Sequence, residues 1–273
     1  MSSANGSMNG LLHEGDFVAP GYEVLGHLSR NRALDVYDAW SLERDCRCIA
    51  KVVRPDRHEA RVRRRLTREG ELLLQLTHPH IVRAYELRRR PRTALILETL
   101  GGETVEHMIE AASRRLAIAD VAHLGVQLCS AVGYLHGRGF LHLDLKPSNV
   151  IVQNGQATVI DLSLARKPGR VPRGVGSAPW LPPEQARGGR VGAASDVWGI
   201  GATLYEAATG LRPFPDAKPR IYPQLERRAP DLGEARRAPA AFASVIAACL
   251  SPDPSDRPSV GELADELDDV VGD

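Results

Sequence analysis

Lysine is the scarce basic residue in this chain of 273 residues. Lys and Arg together number 35, but lysine occurs only at positions 51, 146, 167 and 218, so 31 of these residues are arginine. Because arginine is used wherever a cation suffices, a lysine is a candidate for a role that needs a compact ammonium group. Lys167 and Lys218 lie in proline-rich loops and need no such role. Lys51 and Lys146 are therefore the two lysines to follow.

The sequence also lacks long apolar runs and a strong net charge. It is 25% charged and 43% hydrophobic, with a formal charge of +1, which excludes a polyelectrolyte arm and a chain disordered throughout. No stretch approaches the ~18 uninterrupted apolar residues that span a bilayer. The first ten residues show no positive patch followed by an apolar core, so no secretory signal is expected. We expect a cytoplasmic protein with no membrane anchor.

Cysteines are few, and their spacing is not that of a metal site. They stand at positions 46, 48, 129 and 249, with no cluster of His or Cys at zinc spacing nearby. Reduced thiols in a reducing compartment explain them best.

The chain divides into a strand-rich part and a helix-rich part. Residues 1–15 are rich in Ser, Asn and Gly and are expected to form a disordered tail. Residues 16–100 contain short β-branched or aromatic runs that predict strands at 22–26, 36–40, 48–53, 81–87 and 93–98. One helix is expected between them, over about 57–76, because its apolar residues follow helical spacing.

The helix-rich part begins at Gly101 and Gly102 and runs to residue 273. Patterns there predict helices at 118–138, 196–209, 240–250 and 260–270, with strand-like pieces at 140–142, 150–153 and 157–160. A strand-rich half joined by two glycines to a helical half predicts an α+β fold of two lobes with a cleft between them.

The densest polar cluster follows the strand-like piece at 140–142 and comprises residues 142–149. It offers a carboxylate at Asp144, an ammonium at Lys146 and an amide at Asn149, and a second carboxylate, Asp161, follows another apolar run. Amide and carboxylate oxygens suit Mg²⁺, which is usually held by one or two protein oxygens plus substrate phosphates. Asp144 is then left to accept a hydroxyl proton, and Lys146 to neutralise a transferring phosphoryl group. The simpler alternative is a polar hairpin with capping residues.

In this order and spacing, the cluster resembles the catalytic loop of protein kinases, specifically the Ser/Thr kinases of bacteria that share the eukaryotic fold. The resemblance covers about residues 20–270. It implies a two-lobed kinase fold with a five-stranded antiparallel N-lobe (16–100) carrying one helix and a mainly helical C-lobe (101–273). The abundance of arginine is also typical of a GC-rich bacterial genome.

The resemblance assigns roles to both conspicuous lysines. Lys51 matches the ATP-binding lysine, and Glu69, ten residues before Pro79, matches the helix glutamate that pairs with it, with Glu71 as an alternative partner. With Asp144 and Lys146 these form the implied catalytic set. Asn149 and Asp161 would hold the metal. The nucleotide-contacting positions implied by the resemblance are Leu25, Gly26, Val36, Ala50, Lys51, Leu97, Glu98, Leu100, Glu103, Asn149, Ile151 and Asp161.

Further matches concern the framework of the fold. The resemblance implies that Arg257 pairs with Glu184, that Asp196 braces the catalytic loop, and that Ser177 bonds Asp144 and Lys146. A buried ion pair and a helix cap also stabilise proteins that are not enzymes. These matches therefore indicate the fold rather than the activity.

Three features depart from the family pattern. After Gly26 the phosphate-covering loop has no further glycines before Val36, so Ser29, Asn31 or the guanidinium of Arg30 or Arg32 would have to replace them. The metal motif reads Asp161-Leu162-Ser163, without its usual glycine. Leu143 stands where many kinases have the arginine that binds a phosphorylated activation loop, and residues 164–176 contain no Ser, Thr or Tyr. We expect that segment to be ordered without phosphorylation.

The resemblance implies a protein kinase that uses ATP with Mg²⁺, or Mn²⁺ in its place, to phosphorylate Ser or Thr on protein substrates. The alternatives are a pseudokinase that signals by contact and a small-molecule phosphotransferase. The arginine-rich runs 61–68 and 88–92 are read as solvated surface rather than as a docking patch for acidic partners, and no specific nucleic-acid partner is expected.

Overall fold

The computed structural model describes residues 10–56, 59–90, 92–112 and 115–272, and it divides the chain into two compact units. The first unit comprises residues 1–77 and 82–100, and the second comprises residues 78–81 and 101–273. The division at Gly101 coincides with the boundary expected from sequence, but residues 78–81 group with the second unit. Their grouping follows from backbone contacts there, since Val159 N–H donates to the His80 carbonyl at 2.9 Å.

The first unit is an antiparallel sheet with one helix. Its strands are β1 (Phe17–Ala19), β2 (Tyr22–Arg30), β3 (Leu34–Ser41), β4 (Cys46–Val53), β5 (Ala84–Arg88) and β6 (Ala94–Glu98), in the order β1-β2-β3-β4-β6-β5. The sheet has six strands instead of the expected five because β1 pairs with β2. Three residues are too few to show the alternation that predicts a strand.

Helix α1 (Ala60–Leu73) packs on this sheet through a small residue. A Cβ added to Gly70 would lie 2.9 Å from a methyl of Leu87 and 3.1 Å from a methyl of Leu95, so glycine permits the close approach. The helix lies within the expected 57–76 range, of which residues 57 and 58 fall outside the described part of the chain.

The predicted tail of residues 1–15 is only partly visible. Residues 1–9 lie outside the described residues. Leu12 packs against the apolar face of the sheet and donates its N–H to the Tyr37 hydroxyl at 3.1 Å, and Gly15 N–H donates to the Val24 carbonyl at 3.0 Å. Residues 10–15 are therefore tied to the first unit, unlike the loose tail expected from their composition.

The second unit is mainly helical. Its elements are β7 (Glu103–Thr104), α2 (Val105–Ala111), α3 (Ile118–Gly137), β8 (Val150–Gln153), β9 (Gln156–Val159), β10 (Gly169–Arg170), α4 (Pro183–Arg187), β11 (Arg190–Val191), α5 (Ala193–Thr209), α6 (Leu232–Ala235), α7 (Ala240–Cys249) and α8 (Val260–Gly272). β8 and β9 form a hairpin whose turn, Asn154 and Gly155, has φ of 52° and 79°. Positive φ at both turn residues matches the twist of the paired strands.

Helix α3 is the central helix of the second unit. A Cβ on Gly125 would lie 2.6 Å from a methyl of Leu267 in α8 and 2.8 Å from a methyl of Leu204 in α5, so the three helices meet closely at this glycine. α3 is long and apolar enough to cross a membrane, but 56% of its apolar window is buried. Because core helices share these properties, its composition is weak evidence for a membrane span.

Candidate active site

The loop between α3 and β8 carries the polar cluster found in the sequence. Its backbone is fixed by Asp196 at the start of α5, whose carboxylate accepts the N–H groups of His142 at 2.8 Å and Leu143 at 2.7 Å. His136 also contacts this carboxylate, at 2.8 Å. The bracing role expected of Asp196 is confirmed, whereas the contribution of His136 had no signal in the sequence.

Leu143 has an unusual backbone conformation that depends on this bracing. Its φ is +65°, in the left-handed region, where a residue with a side chain costs on the order of 1–2 kcal/mol. Two hydrogen bonds to the buried carboxylate of Asp196 offset that cost. The resulting turn places Asp144 directly after Leu143, with its N–H bonded to Nδ1 of His142 at 3.2 Å.

His142 is buried and neutral. Burial lowers its pKa below the ordinary value, against an opposing effect of nearby carboxylates, the largest from Asp196. Because Nδ1 accepts the Asp144 N–H, the ring proton of the neutral form lies on Nε2. His142 therefore supports the loop without adding charge to it.

Asp144, Lys146 and Ser177 form a connected group. The Ser177 N–H donates to Asp144 Oδ1 at 2.8 Å, Lys146 Nζ donates to Ser177 Oγ at 2.9 Å, and Lys146 Nζ lies 3.9 Å from Asp144 Oδ2. These are the contacts that the sequence predicted for Ser177. A carboxylate and an ammonium held this close can accept a proton and neutralise a developing negative charge, respectively.

The electrostatic environment makes Asp144 a stronger base than an exposed aspartate. Burial raises its pKa above the ordinary value, and Lys146 and the hydrogen bond from Ser177 partly oppose the shift. A carboxylate with a raised pKa accepts a proton more readily.

Asn149 and Asp161, the expected metal ligands, lie next to each other through the backbone. The N–H of Ile160 donates to the Asn149 carbonyl at 3.0 Å, and Asp161 follows Ile160 directly. Asn149 Nδ2 donates to the Asp144 carbonyl at 2.9 Å, which fixes the amide and directs Oδ1 elsewhere. Ser163 N–H donates to Asp161 Oδ1 at 2.8 Å. A fixed amide oxygen and a carboxylate fit Mg²⁺, which prefers a few protein oxygens.

In the first unit, Lys51 forms the predicted ion pair with Glu69. Its Nζ lies 2.8 Å from Glu69 Oε1, and the side chains are only 13% and 1% exposed. The alternative partner, Glu71, instead binds Arg89 at 2.7 Å. Since Glu69 lies on α1 and Lys51 on β4, the pair joins the helix to the sheet.

The sheet register decides which neighbours share the face of Lys51. Val36 is paired with Lys51, and Ile49 with Leu97, so Val36, Ile49, Lys51 and Leu97 share one face. Ala50 points to the opposite face and is fully buried in an apolar cluster with Tyr37. This placement argues against the expected contact of Ala50 with the nucleotide and favours Ile49.

The other nucleotide-contacting candidates fall in both units. Leu25, Gly26, Glu98 and Leu100 belong to the first unit, where Glu98 accepts the Arg83 N–H through Oε1 at 2.7 Å. Glu103 and Ile151 belong to the second, on the neighbouring strands β7 and β8. Ile151 thus lies in the hairpin that begins beside Asn149.

The glycine-poor loop is a closed hairpin. The Arg30 guanidinium binds Asp35 through two contacts of 2.6 and 3.0 Å, and His27 Nε2 lies 3.3 Å from the same carboxylate. Asn31 Oδ1 accepts the N–H groups of Ala33 and Leu34, both at 2.8 Å. Arg30 and Asn31, two of the suggested replacements for the missing glycines, are thus engaged in holding the hairpin.

The framework ion pair is also present. Arg257 makes two contacts with Glu184, of 2.8 and 3.0 Å, and its side chain is fully buried. Ser195 Oγ donates to Glu184 Oε1 at 2.8 Å. The predicted pairing of Arg257 with Glu184 is confirmed.

Residues 22–267 match the family model described as the protein kinase domain. The chain belongs to the protein kinase family. Its fold is the two-lobed kinase fold, with a six-stranded antiparallel sheet and one helix in the first unit and a mainly helical second unit.

Curated relatives include several bacterial kinases. The chain is 29% identical over 264 residues to a probable serine/threonine-protein kinase of Streptomyces coelicolor, covering 90% of this chain and 38% of the relative. It is 34% identical over 214 residues to the serine/threonine-protein kinase PkaA of the same organism, covering 73% and 38%. It is 33% identical over 166 residues to PknB of Mycolicibacterium smegmatis, covering 55% and 26%. The chain thus spans less than half the length of these relatives.

Proposed function

We propose that this kinase domain transfers the γ-phosphoryl group of ATP to Ser or Thr hydroxyls of protein substrates. The observation that carries the proposal is the group formed by Asp144, Lys146 and Ser177. A buried carboxylate with a raised pKa lies beside an ammonium group that is held 2.9 Å from a serine hydroxyl. Family membership and the serine/threonine-kinase names of the relatives support the same activity.

Each residue of the loop has a role in the proposed reaction. Asp144 orients the acceptor hydroxyl and takes its proton as the oxygen attacks the γ-phosphorus. Lys146 neutralises charge on the transferring group. Asn149 and Asp161 would hold Mg²⁺, or Mn²⁺, through their oxygens. That ion, when bound, would neutralise negative charge on the phosphates of ATP.

The first unit would contribute nucleotide-binding groups. Lys51, oriented by Glu69, would place its ammonium against the α- and β-phosphates. Val36, Ile49 and Leu97 lie on the same sheet face as Lys51 and would pack on the adenine. Backbone groups of Glu98 and Leu100 would bond the adenine edge, and Leu25, Gly26, Glu103 and Ile151 would complete the contacts.

Cytoplasmic location is part of the proposal. All four cysteines are free, and three of them are buried. Burial raises the pKa of the Cys48 and Cys129 thiols to about 12, so both remain protonated. Free cysteines, most of them buried, suit a reducing compartment.

The direct test is transfer from γ-labelled ATP with Mg²⁺ or Mn²⁺ to a mixture of unphosphorylated proteins, followed by phosphoamino-acid analysis. Label in phosphoserine or phosphothreonine is expected. Nucleotide binding without any transfer would identify a pseudokinase, and label confined to small-molecule acceptors would identify a small-molecule phosphotransferase. Either result would contradict the proposal.

Activity is expected to survive phosphatase treatment. The segment 164–176 has no hydroxyl side chain that could be phosphorylated. Leu143, which occupies the position of the phosphate-binding arginine of many kinases, makes apolar contacts instead. Leu143 is 3% exposed and packs in a cluster with Leu141, Val171 and Val191. The initial transfer rate before and after treatment, with phosphate content followed by mass spectrometry, measures this. A loss of rate that returns when the chain is phosphorylated again would contradict it.

The pH dependence of kcat/KM should report Asp144. The ionised form is required, so activity falls as pH decreases through a pKa that lies above the ordinary aspartate value. Because the positive charge of Lys146 opposes that rise, Lys146→Ala should move the acid limb of the profile to higher pH. The unmodified chain and Lys146→Ala are compared with the same peptide and the same ATP, so the ionisation of ATP affects both pH profiles equally. A limb that stays in place or moves to lower pH would contradict the assignment.

A further inference from the structure

A group of cations follows the metal motif and has no acidic neighbours along the chain. Between residues 162 and 192 the only acid is Glu184, which is bound by the buried Arg257. Five exposed cations lie in the same stretch, and we refer to them as the cationic patch: Lys167, Arg170, Arg173, Arg187 and Arg190.

Backbone contacts bring two parts of the cationic patch side by side. Arg170 in β10 is paired directly with Arg190 in β11, and Val171 N–H donates to the Gly189 carbonyl at 2.9 Å. A Cβ on Gly188 would lie 2.6 Å from the backbone nitrogen of Arg173, so the backbone next to Arg187 packs directly against Arg173. The patch is thus one surface, made by two segments that run next to each other.

The pairing of Arg170 with Arg190 is unfavourable in the isolated domain. Directly opposed residues in an antiparallel pair have Cβ atoms about 5 Å apart, and like charges there are destabilising. No member of the cationic patch forms an ion pair with any acid in the described residues; Arg173 instead lies over the Tyr222 ring, 5.5 Å from its centroid.

Two arginines of the first unit show how an acid can neutralise such a charge. Arg88 and Arg89, in one of the arginine-rich runs of the sequence, bind Glu86 at 2.6 Å and Glu71 at 2.7 Å. In the patch, by contrast, the fold places like charges together, and no acid among the residues that the structure describes pairs with them. Such a surface is complementary to an anionic partner.

We propose that the cationic patch docks an acidic segment of the protein substrate, rich in Asp or Glu, beside the phosphorylated residue. The inference rests on the proposed protein kinase activity and specifies its substrate class. Binding carboxylates would relieve the repulsion between Arg170 and Arg190 and add charge-assisted hydrogen bonds.

The patch is connected to Asp144 by a short stretch of chain. Ser177, whose N–H is bonded to the Asp144 carboxylate at 2.8 Å, follows Arg173 by four residues, which span at most about 14 Å. An extended substrate advances about 3.3 Å per residue. Acids bound by Arg173 should therefore lie within about five residues of the acceptor Ser or Thr, and acids bound by Arg170 within about eight.

The test uses two fluorescein-labelled peptides with one central serine, flanked by glutamates in the first and by glutamines in the second. Binding to the purified chain is measured by fluorescence anisotropy without nucleotide, and transfer by kcat/KM with ATP and Mg²⁺. Arg170→Gln/Arg190→Gln should weaken binding of the acidic peptide, and lower its kcat/KM through KM, by about tenfold, as expected for the loss of two partly exposed pairs. The neutral peptide should be unaffected.

The matched control is Arg228→Gln/Arg237→Gln, which removes two exposed arginines from other parts of the second unit, neither of which pairs with an acid in the described part of the chain. It should leave the preference for the acidic peptide intact. Because the patch variant removes a like-charge pair, its melting temperature should equal or exceed that of the unmodified chain. A lower melting temperature with equal loss for both peptides would assign the arginines a structural role and overturn the proposal.

Three further results would also overturn it: no preference for the acidic peptide, an equal loss in the control variant, or tighter binding of a single-stranded oligonucleotide of the same charge than of the acidic peptide. If the chain transfers no phosphate at all, the anisotropy experiment still decides the docking proposal. Failure of the kinase activity and failure of the patch are thus distinguishable.

Discussion

Asp144→Asn is expected to lower kcat for peptide phosphorylation by about 10³-fold, within the 10²- to 10⁴-fold range of general-base catalysis. Asparagine keeps the size of the side chain and an oxygen that can accept the Ser177 N–H, but it cannot take the hydroxyl proton. Its amide also places no negative charge beside Lys146. Steady-state rates at saturating ATP and peptide measure the effect.

This substitution should not unfold the protein. Burial already disfavours the charged form of Asp144, as its raised pKa shows, so a neutral replacement removes a desolvation cost. The melting temperature should therefore be unchanged or higher, and nucleotide binding should be retained. Asp268→Asn, at an exposed position on α8, is the matched control and should leave kcat unchanged. An Asp144→Asn enzyme with an unaltered rate would rule out Asp144 as the base.

Lys51→Met should lower kcat/KM for ATP by about 10²-fold or more, the order of loss seen when one preorganised electrostatic contact is removed. The ammonium that would bind the α- and β-phosphates is lost, while the methionine side chain fills similar space. Isothermal titration with ATP and initial rates separate the binding loss from the catalytic loss. Lys218→Met removes an exposed lysine and should change neither quantity.

The Lys51→Met substitution should also lower the stability of the fold, because Lys51 is paired with Glu69. Glu69 is 1% exposed, so replacing the lysine removes an ammonium group that pairs with a buried carboxylate, which destabilises by about 3–5 kcal/mol. Lys51→Met/Glu69→Gln should recover most of that stability without recovering activity. Lys51→Arg should fold well but remain impaired, because the planar guanidinium does not replace a compact ammonium. Full activity in Lys51→Arg or in the double variant would contradict the assigned role.

Long elements with strong patterns were the most predictable part of the fold. The helix expected over 118–138 is Ile118–Gly137, and the helix expected over 260–270 is Val260–Gly272. The short elements β1, α2 and α4 were not anticipated, because the contacts of a few residues depend on neighbours distant in sequence. The strand expected at 140–142 is reduced to an isolated bridge between Leu141 and Arg166, for the same reason.

Within the site, prediction succeeded where the chemistry required a particular group. Asp144, Lys146 and Ser177 are connected as expected, since proton transfer and charge neutralisation restrict the residue types that can serve. Side-chain direction was harder to predict. Ala50 was expected to contact the nucleotide, as Lys51 was. Adjacent residues in a strand face opposite sides, however, and the register of β4 shows that Ile49 shares the face of Lys51.

Gln185 shows what sequence reasoning missed altogether. Its buried Nε2 donates to the Leu143 carbonyl at 3.0 Å and to the Val175 carbonyl at 2.7 Å, so it links the catalytic loop to the segment before Ser177. A glutamine beside Glu184 has no pattern that distinguishes it from a surface residue. Its role depends on backbone groups that only the folded chain brings together.

The proposed reaction moves the γ-phosphoryl group of ATP onto a protein hydroxyl with Asp144 as the base. A single-turnover experiment tests it most directly, with the chain in excess over γ-labelled ATP, Mg²⁺ and a serine-containing peptide, and with products identified by mass spectrometry. We expect one phosphoserine per ATP consumed by the unmodified chain and almost none by Asp144→Asn over the same time. ATP that is bound but not consumed, or phosphoserine formed equally by both proteins, would contradict it.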